Sequence, residues 1–401
     1  MPLERLPEGP KSNLRLPPGI WALGFVSMFM DISSEMIHAV LPIYLVTALG
    51  TSTLMVGFIE GIAEATANIT KIFSGALSDW LGNRKLLTTL GYGLAAFTKP
   101  IFPLAATVGW VVAARFIDRI GKGVRDAPRD ALIADLAPAE LRGASFGLRQ
   151  ALDTVGALVG PLAAIALMLL SSNNFHLVFW IAVVPAFIAL AVMVFAVKEP
   201  SRHEADTKPR LRLAEAKRLP GRFWAVVSVA TILTLARFSE AFLILRSQNV
   251  GLALALVPSV MVVMNIVYAV AAYPAGALSD RIGRGGLLAI GIACLIVADL
   301  FLALSTTIAL VMIGIVFWGL HMALTQGLFA SLVADTAPES LRGTAFGLFN
   351  FGGGIAMLVA SVLAGGFWET YGPPATFLAG AGFAVVALIG LVLAEGWVRK
   401  R

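Results

Sequence analysis

Apolar residues fill this chain in long runs, each closed by a short polar break, and the pattern continues from about residue 20 to about residue 395. A helical run of roughly 20 residues covers the hydrocarbon core of a bilayer. The runs predict twelve helices, at about 20–47, 52–76, 86–107, 109–134, 142–170, 176–197, 223–247, 252–276, 286–305, 308–334, 341–366 and 373–395. One such run is compatible with a buried core helix of a soluble protein. A dozen in series is not.

The polar breaks repeat as well as the runs. Asp135, Pro138, Leu141, Arg142, Gly143, Phe146, Gly147 and Leu148 recur as Asp335, Pro338, Leu341, Arg342, Gly343, Phe346, Gly347 and Leu348. Gly75, Leu77 and Asp79 recur at nearly the same offset as Gly276, Leu278 and Asp280. A chain that repeats itself once, half its length apart, consists of two copies of one folding unit. The fold class expected is an all-α membrane protein, with twelve transmembrane helices in two pseudo-symmetric six-helix bundles. Its parts are a tail at 1–19, a first bundle at 20–197, a linker at 198–222, a second bundle at 223–395 and a tail at 396–401. Two similar halves that face each other in a membrane commonly rock to expose a shared path alternately, so transport of a small molecule is the leading expectation.

Composition agrees: 58% of residues are apolar and 13% charged, with a mean hydropathy of +0.85, far from the soluble balance. Charge on the breaks sets the orientation. Lys and Arg cluster at Arg5, Lys11 and Arg15, at Arg84 and Lys85, at Arg281 and Arg284, at Arg399, Lys400 and Arg401, and most densely between 198 and 222. The breaks at 47–53, 171–175 and 305–307 carry none. The positive-inside rule therefore puts both termini and the linker in the cytoplasm of a multi-pass inner-membrane protein. The pI of about 9.6 follows from this topology, so no nucleic-acid partner is called for. Residues 1–19 are polar and Pro-rich, unlike a cleaved signal peptide. Cys294 is the one cysteine, which leaves no disulfide or thiol metal cluster. The Asn68–Thr70 glycosylation sequon falls inside a predicted helix. Every break but 198–222 is short, so no soluble catalytic domain, enzyme activity or cofactor is expected.

Two motifs add a family. Between the second and third helices stand Gly75, Leu77, Asp79, Gly82 and Arg84, and the second copy keeps Gly276, Asp280, Arg281, Gly283 and Arg284. With twelve helices and the repeat, this frame resembles the major facilitator superfamily over the whole chain. It departs from the family pattern at Trp80, Asn83 and Gly285, where basic residues are usual. The resemblance implies a loop that locks the cytoplasmic gate, with Gly75, Asp79, Arg84, Arg129, Gly276, Asp280 and Arg281 as gating residues and Asp79–Arg129 as the expected pair. It also implies function as a monomer. The fifth helix carries Gly147, Gly156, Gly160 and Pro161, a spacing similar to that of the family's proton-coupled exporters. It departs at Ala164 and Ile165, where glycines are usual, and the second half lacks the frame. Small residues let membrane helices touch, and a proline bends a helix where a neighbour satisfies the freed carbonyl.

Ionisable groups at membrane depth are functional candidates by default. The first helix has Asp31, Ser34, Glu35 and His38 on one face. The second has Glu60, Glu64, Asn68 and Lys71, and the fourth has Arg115, Asp118, Arg119, Lys122, Arg125, Asp126, Arg129 and Asp130. Acids and bases balance, so a self-neutralising network is the plain alternative to function. In the resemblance, Arg115 falls where the family carries a fourth-helix arginine linked to proton transfer. Proton coupling is expected at Asp31, Glu35, Arg115, Asp118 and Arg119, with Arg115 or Arg119 as counter-charge to Asp31 or Glu35.

The second half replaces those charges with Ile315, Trp318, Gly319 and Met322. Its buried charges are Arg237, Glu240, Arg246 and Asp299. The substrate cavity is expected to take His38, Glu60, Glu64, Arg237, Glu240, Asn265, Tyr268, His321, Gln326 and Asn350. Arg237 reads either as an anion-binding group or as a local ion pair with Glu240. His38, Met36, His321, Met322, Met261 and Met264 could serve a transported soft metal, although no loop clusters histidines and no metal site is expected. The reading is proton-driven efflux of a small solute by alternating access. Its rivals are proton-coupled import of a metabolite, metal transport and a membrane sensor.

Overall fold

The computed structural model describes residues 16–199, 213–338 and 341–399. Its twelve long helices are α1 (Pro18–His38), α2 (Thr53–Leu81), α3 (Arg84–Thr98), α4 (Val108–Leu136), α5 (Arg142–Leu170) and α6 (Phe175–Ala196), followed by α7 (Gly221–Ala236), α8 (Ser259–Ile282), α9 (Arg284–Leu304), α10 (Ile308–Thr336), α11 (Arg342–Tyr371) and α12 (Pro373–Arg399). Among the described residues, nine helical spans are long and apolar enough to cross a membrane. α2, α3 and α4 are the exceptions: α3 has 15 residues, and α2 and α4 carry the ionisable stripes of the first half.

Three helices differ from the continuous runs the sequence predicts. α1 stops at His38; a short turn (Leu41–Ile43) and a π-helical turn (Tyr44–Ala48) complete the span. α3 stops before Lys99–Pro100, whose proline ring brings no N–H to the ladder, and the span resumes at Ile101–Leu104. α7 breaks at Arg237–Glu240 and restarts as Ala241–Asn249. The break is anchored by Phe238, whose ring packs against Phe242, Trp318 and Phe377 at 5.5–5.7 Å between centroids. The Ser239 N–H, released from the helix, donates to Ser361 Oγ at 3.2 Å.

The sequence repeat is also a structural one. α4 and α10 begin at Val108 and Ile308, each after an extended threonine, and each runs 29 residues. α5 and α11 begin at Arg142 and Arg342. The repeated aspartate has the same partner in each copy: Arg84 at the start of α3 pairs with Asp135 at 2.5 Å, and Arg284 at the start of α9 pairs with Asp335. Gly82 turns α2 into α3 with a left-handed backbone, φ 70°, and Asn83 caps α3 by accepting from Leu86 N at 2.9 Å.

The halves meet closely at the end of the bundle away from the chain termini. There α2 lies on α11 through glycines: a Cβ on Gly57 would stand 2.1 Å from the Ser361 carbonyl oxygen, and one on Gly365 2.5 Å from that of Thr53. Leu54 N also donates to Glu369 Oε2 at 3.2 Å. Large apolar side chains such as Phe97, Leu170 and Phe195 cover the outside, as a lipid-facing surface requires.

Candidate functional site

Glu60 and Glu64, one turn apart on α2, face Arg115 and Arg119, one turn apart on α4. The two helices run in the same direction, so the equal spacing builds parallel rungs. Arg115 Nη2 donates to Glu60 Oε2 at 2.7 Å with both side chains almost wholly buried, and Arg119 reaches Glu64 Oε1 at 3.0 Å. On the next turn of α2 stands Asn68, a neutral residue where a third carboxylate would sit. α1 adds His38, whose Nδ1 lies 3.6 Å from Glu35 Oε2 and whose Nε2 lies 3.5 Å from Glu60 Oε2. A carboxylate oxygen thus lies near each ring nitrogen. Lys99, at the end of α3, donates to Asp118 Oδ1 at 2.9 Å and Ser34 Oγ at 3.1 Å.

These contacts correct two expected pairings. Arg115 and Arg119 are ion-paired with α2 carboxylates, and the ion-pair contact of Glu35 is His38 rather than either arginine. Asp79 accepts from Arg84 Nη2 at 3.3 Å, whereas Arg129 pairs with Asp130 at 3.1 Å, Asp126 at 3.8 Å and the Ser27 hydroxyl at 3.2 Å. The expected Asp79–Arg129 pair is therefore replaced by bonds to closer partners. The side chains of Asp280 and Arg281 lie outside the described residues.

Between the halves is a cavity of about 210 Å³. Its first-half wall is ionic: Glu35, His38, Glu60, Glu64, Arg119 and Lys122, with Ala157 of α5. Its second-half wall is the α7 break, Arg237 to Glu240, together with Asn265 and four thioethers, Met261, Met264, Met322 and Met357. Arg237 and Glu240 make no ion pair with each other, which removes the local-pair alternative; the break turns both side chains into the cavity. Among the described residues, Lys122, Arg237 and Glu240 have no ion-pair partner within 4.0 Å and no side-chain hydrogen bond.

α5 reaches the site through α1. A Cβ on Gly156 would stand 2.7 Å from the Met28 carbonyl oxygen and 2.9 Å from Asp31 Cβ; one on Gly160 would stand 2.8 Å from Glu35 Cβ. Only glycine allows this approach, and it sets the position of both α1 acids. Gly147 differs: nothing lies within 4 Å of its Cβ position, and at Gly75 and Gly276 the space is similarly ordinary or open. Of the fifth-helix glycines expected to let helices touch, Gly156 and Gly160 do so and Gly147 does not. Pro161 has no N–H for the Ala157 carbonyl, and Asn265 Nδ2 of α8 donates to that oxygen at 3.0 Å.

The other expected cavity residues disperse. Gln326 and Tyr268 line an adjoining space of about 150 Å³. Gln326 also shares a space of about 160 Å³ with Arg237, Thr234 and Phe349. Asn350 lines none of these three. His321 is fully buried and bonds through Nδ1 to the Gly291 carbonyl of α9 at 2.9 Å, so it faces a neighbouring helix rather than the cavity. Of the residues considered for soft-metal transport, Met261, Met264, Met322 and His38 gather at the cavity while Met36 and His321 do not. No group of three or more His, Cys, Asp or Glu among the described residues is arranged for a metal ion.

Sequence reasoning missed Lys99, the α7 break, Met357 and the Arg84–Asp135 and Arg284–Asp335 pairs. Signals existed for two of these. Arg237, Ser239 and Glu240 put three polar residues in four positions inside an apolar run, and Asp135 and Asp335 are part of the repeat itself.

A sequence profile of the Major Facilitator Superfamily matches residues 23–257 and 241–401. The chain is 33% identical to an uncharacterised MFS-type transporter of Methanocaldococcus jannaschii, MJ1317, over 97% of this chain and 98% of the relative. It is 24% identical to the inner membrane transport protein YajR of Escherichia coli K12, over 94% of this chain and 84% of that one. In fold it is similar to the crystal structure of the nucleoside transporter NupG, with a TM-score of 0.76, 14% identity and coverage of 94% and 99%.

Proposed function

This chain belongs to the major facilitator superfamily, and from that premise we propose that it exports a small solute across the inner membrane by proton-coupled alternating access. The observation that carries the reading is the division of the central cavity. One bundle supplies a network of carboxylates, an imidazole and arginines; the other supplies a broken helix bearing Arg237 and Glu240 and a wall of four methionines. In physical terms the first wall handles protons and the second receives the solute.

Glu35 is the proposed proton carrier. It lines the cavity, and its contact is a histidine at 3.6 Å rather than a tightly bonded arginine. A carboxylate whose counter-charge withdraws in a low-dielectric cavity favours its neutral form. Glu60 and Asp118 are held at 2.7 and 2.9 Å by Arg115 and Lys99, which suits an anchoring role. Rocking of the 20–197 bundle against the 223–395 bundle exposes the cavity to each side in turn. Both termini and the 198–222 linker are placed in the cytoplasm by loop charge, and one chain suffices. On that orientation the tight α2–α11 contact seals the outer side. The Gly156–Gly160–Pro161 frame, packed on α1 beside Asp31 and Glu35, supports export over import.

The test is flux in proteoliposomes under an imposed pH gradient, with a pH-sensitive dye reporting proton movement as candidate solutes are added. Export by antiport requires protons and solute to cross in opposite directions, and Glu35→Gln to abolish that exchange. Movement of both in the same direction would establish import instead.

A further inference from the structure

The cavity's charges are not all paired within the protein. Its wall carries four carboxylates, Glu35, Glu60, Glu64 and Glu240. Arg115 and Arg119 hold Glu60 and Glu64, and His38 Nδ1 lies 3.6 Å from Glu35 Oε2. Among the described residues that leaves two cationic side chains on the wall, Lys122 and Arg237, and one carboxylate, Glu240, with no ion-pair partner. Burying a charge without a partner is costly.

The uncommitted cations have definite places. Arg115 and Arg119 are taken by Glu60 and Glu64. Lys122 is on the next turn of α4, where the α2 stripe reads Asn68 and offers no carboxylate. Arg237 is on the opposite wall, turned inward by the break whose Phe238 is locked in the second-half aromatic cluster. The first belongs to one bundle and the second to the other. Beside Ser239, Glu240 and Asn265, the second wall is made of Phe238 and four methionines, Met261, Met264, Met322 and Met357, whose flexible, polarisable thioethers adapt to apolar bodies of varied shape. About 210 Å³ is below the 300–1,000 Å³ range of pockets that take drug-sized ligands.

Resting on the transporter reading above, we propose that the solute is a small amphiphilic monoanion. Its anionic group lies between Lys122 and Arg237, and its apolar or aromatic body lies against the methionine wall. The monoanion gives both cations a partner, and because those cations belong to different bundles, binding draws the bundles together. Glu240 excludes dianions and disfavours compact anions without an apolar body.

The experiment is ligand-induced thermal stabilisation of the purified full-length protein with three probes of matched body: benzoate, benzyl alcohol and benzylamine. Chloride at equal ionic strength is the control. Benzoate is expected to stabilise saturably, and the neutral and cationic probes are not. Lys122→Met and Arg237→Met should each weaken benzoate binding tenfold or more, Lys122→Arg should retain it, and Glu240→Gln should tighten it. If a methionine variant fails to fold, Glu240→Gln keeps the test open, because only an anion bound beside it gains from the loss of its charge. Stabilisation by benzylamine, no response to benzoate above chloride, or unchanged benzoate affinity in the methionine variants or in Glu240→Gln overturns the proposal. Benzoate binding with no pH-driven flux leaves the anion site standing and sinks the export reading, so the two failures are distinguishable.

Discussion

Asn265 of α8 donates its side-chain amide to the backbone carbonyl of Ala157 on α5, 3.0 Å away, and so completes a hydrogen bond that Pro161 removes. In an uninterrupted helix the residue at 161 would donate to that oxygen; proline cannot. The partner comes from the other half of the molecule. A defect inside one bundle has thus become a link between the two, on the wall of the central cavity.

The link predicts a specific non-additivity. Asn265→Leu leaves the Ala157 carbonyl unpaired and should cost about 1–3 kcal/mol. In a Pro161→Ala background the helix supplies its own N–H, so the same substitution should cost far less. A double-mutant cycle in detergent unfolding measures the coupling; equal costs in both backgrounds would mean that the bond carries no stability.

The rung formed by Arg115 and Glu60 is buried on both sides. Arg115→Met should destabilise the protein by about 3–5 kcal/mol, because it strands a buried carboxylate, whereas an Arg115→Met, Glu60→Met double variant should recover much of that loss. Unfolding midpoints of the three proteins decide it. The single variant being no worse than the double would remove the pair as an anchor.

Gly156 and Gly147 look alike in the sequence and should respond differently. Leucine at 156 collides with the Met28 carbonyl and Asp31, so α1 must move, and flux should fall to background with expression retained. Leucine at 147 enters open space and should leave flux within about twofold, as substitutions away from special features usually do. Transport assays on matched expression levels compare the two. Retained flux in Gly156→Leu would reduce the frame to ordinary packing and weaken the export reading.

Glu35 and Asp31 should also separate. Glu35 lines the cavity beside His38, while Asp31 sits half-buried against α5. Glu35→Gln should keep solute binding and slow downhill exchange yet lose the response to a pH gradient; Asp31→Asn should keep that response in part. Full pH-dependent transport in Glu35→Gln would move the carrier elsewhere, with Glu64 and Glu240 next on the cavity wall.

What the sequence determined by itself is what one-dimensional periodicity encodes. Runs of about twenty apolar residues specify spanning helices, since a bilayer leaves the backbone no other partner. The recurrence of Asp135 to Leu148 at Asp335 to Leu348 specifies two copies. Helical spacing placed Asp31 with Glu35, Glu60 with Glu64 and Arg115 with Arg119 on common faces. Only the tertiary structure decided which faces meet. Periodicity fixes the direction of a side chain about its own axis but not the neighbour opposite, so Arg115 was open to Asp31, Glu35 or Glu60 until α2 packed along α4. The same holds for His321, turned to α9, and for the α7 break, which depends on an aromatic pocket assembled from three other stretches of chain around Phe238. The unpaired cations of the cavity are likewise a property of the assembled walls: Lys122 and Arg237 are both legible as cations in the text, but that neither has an ion-pair partner among the described residues follows from where the other charges came to rest.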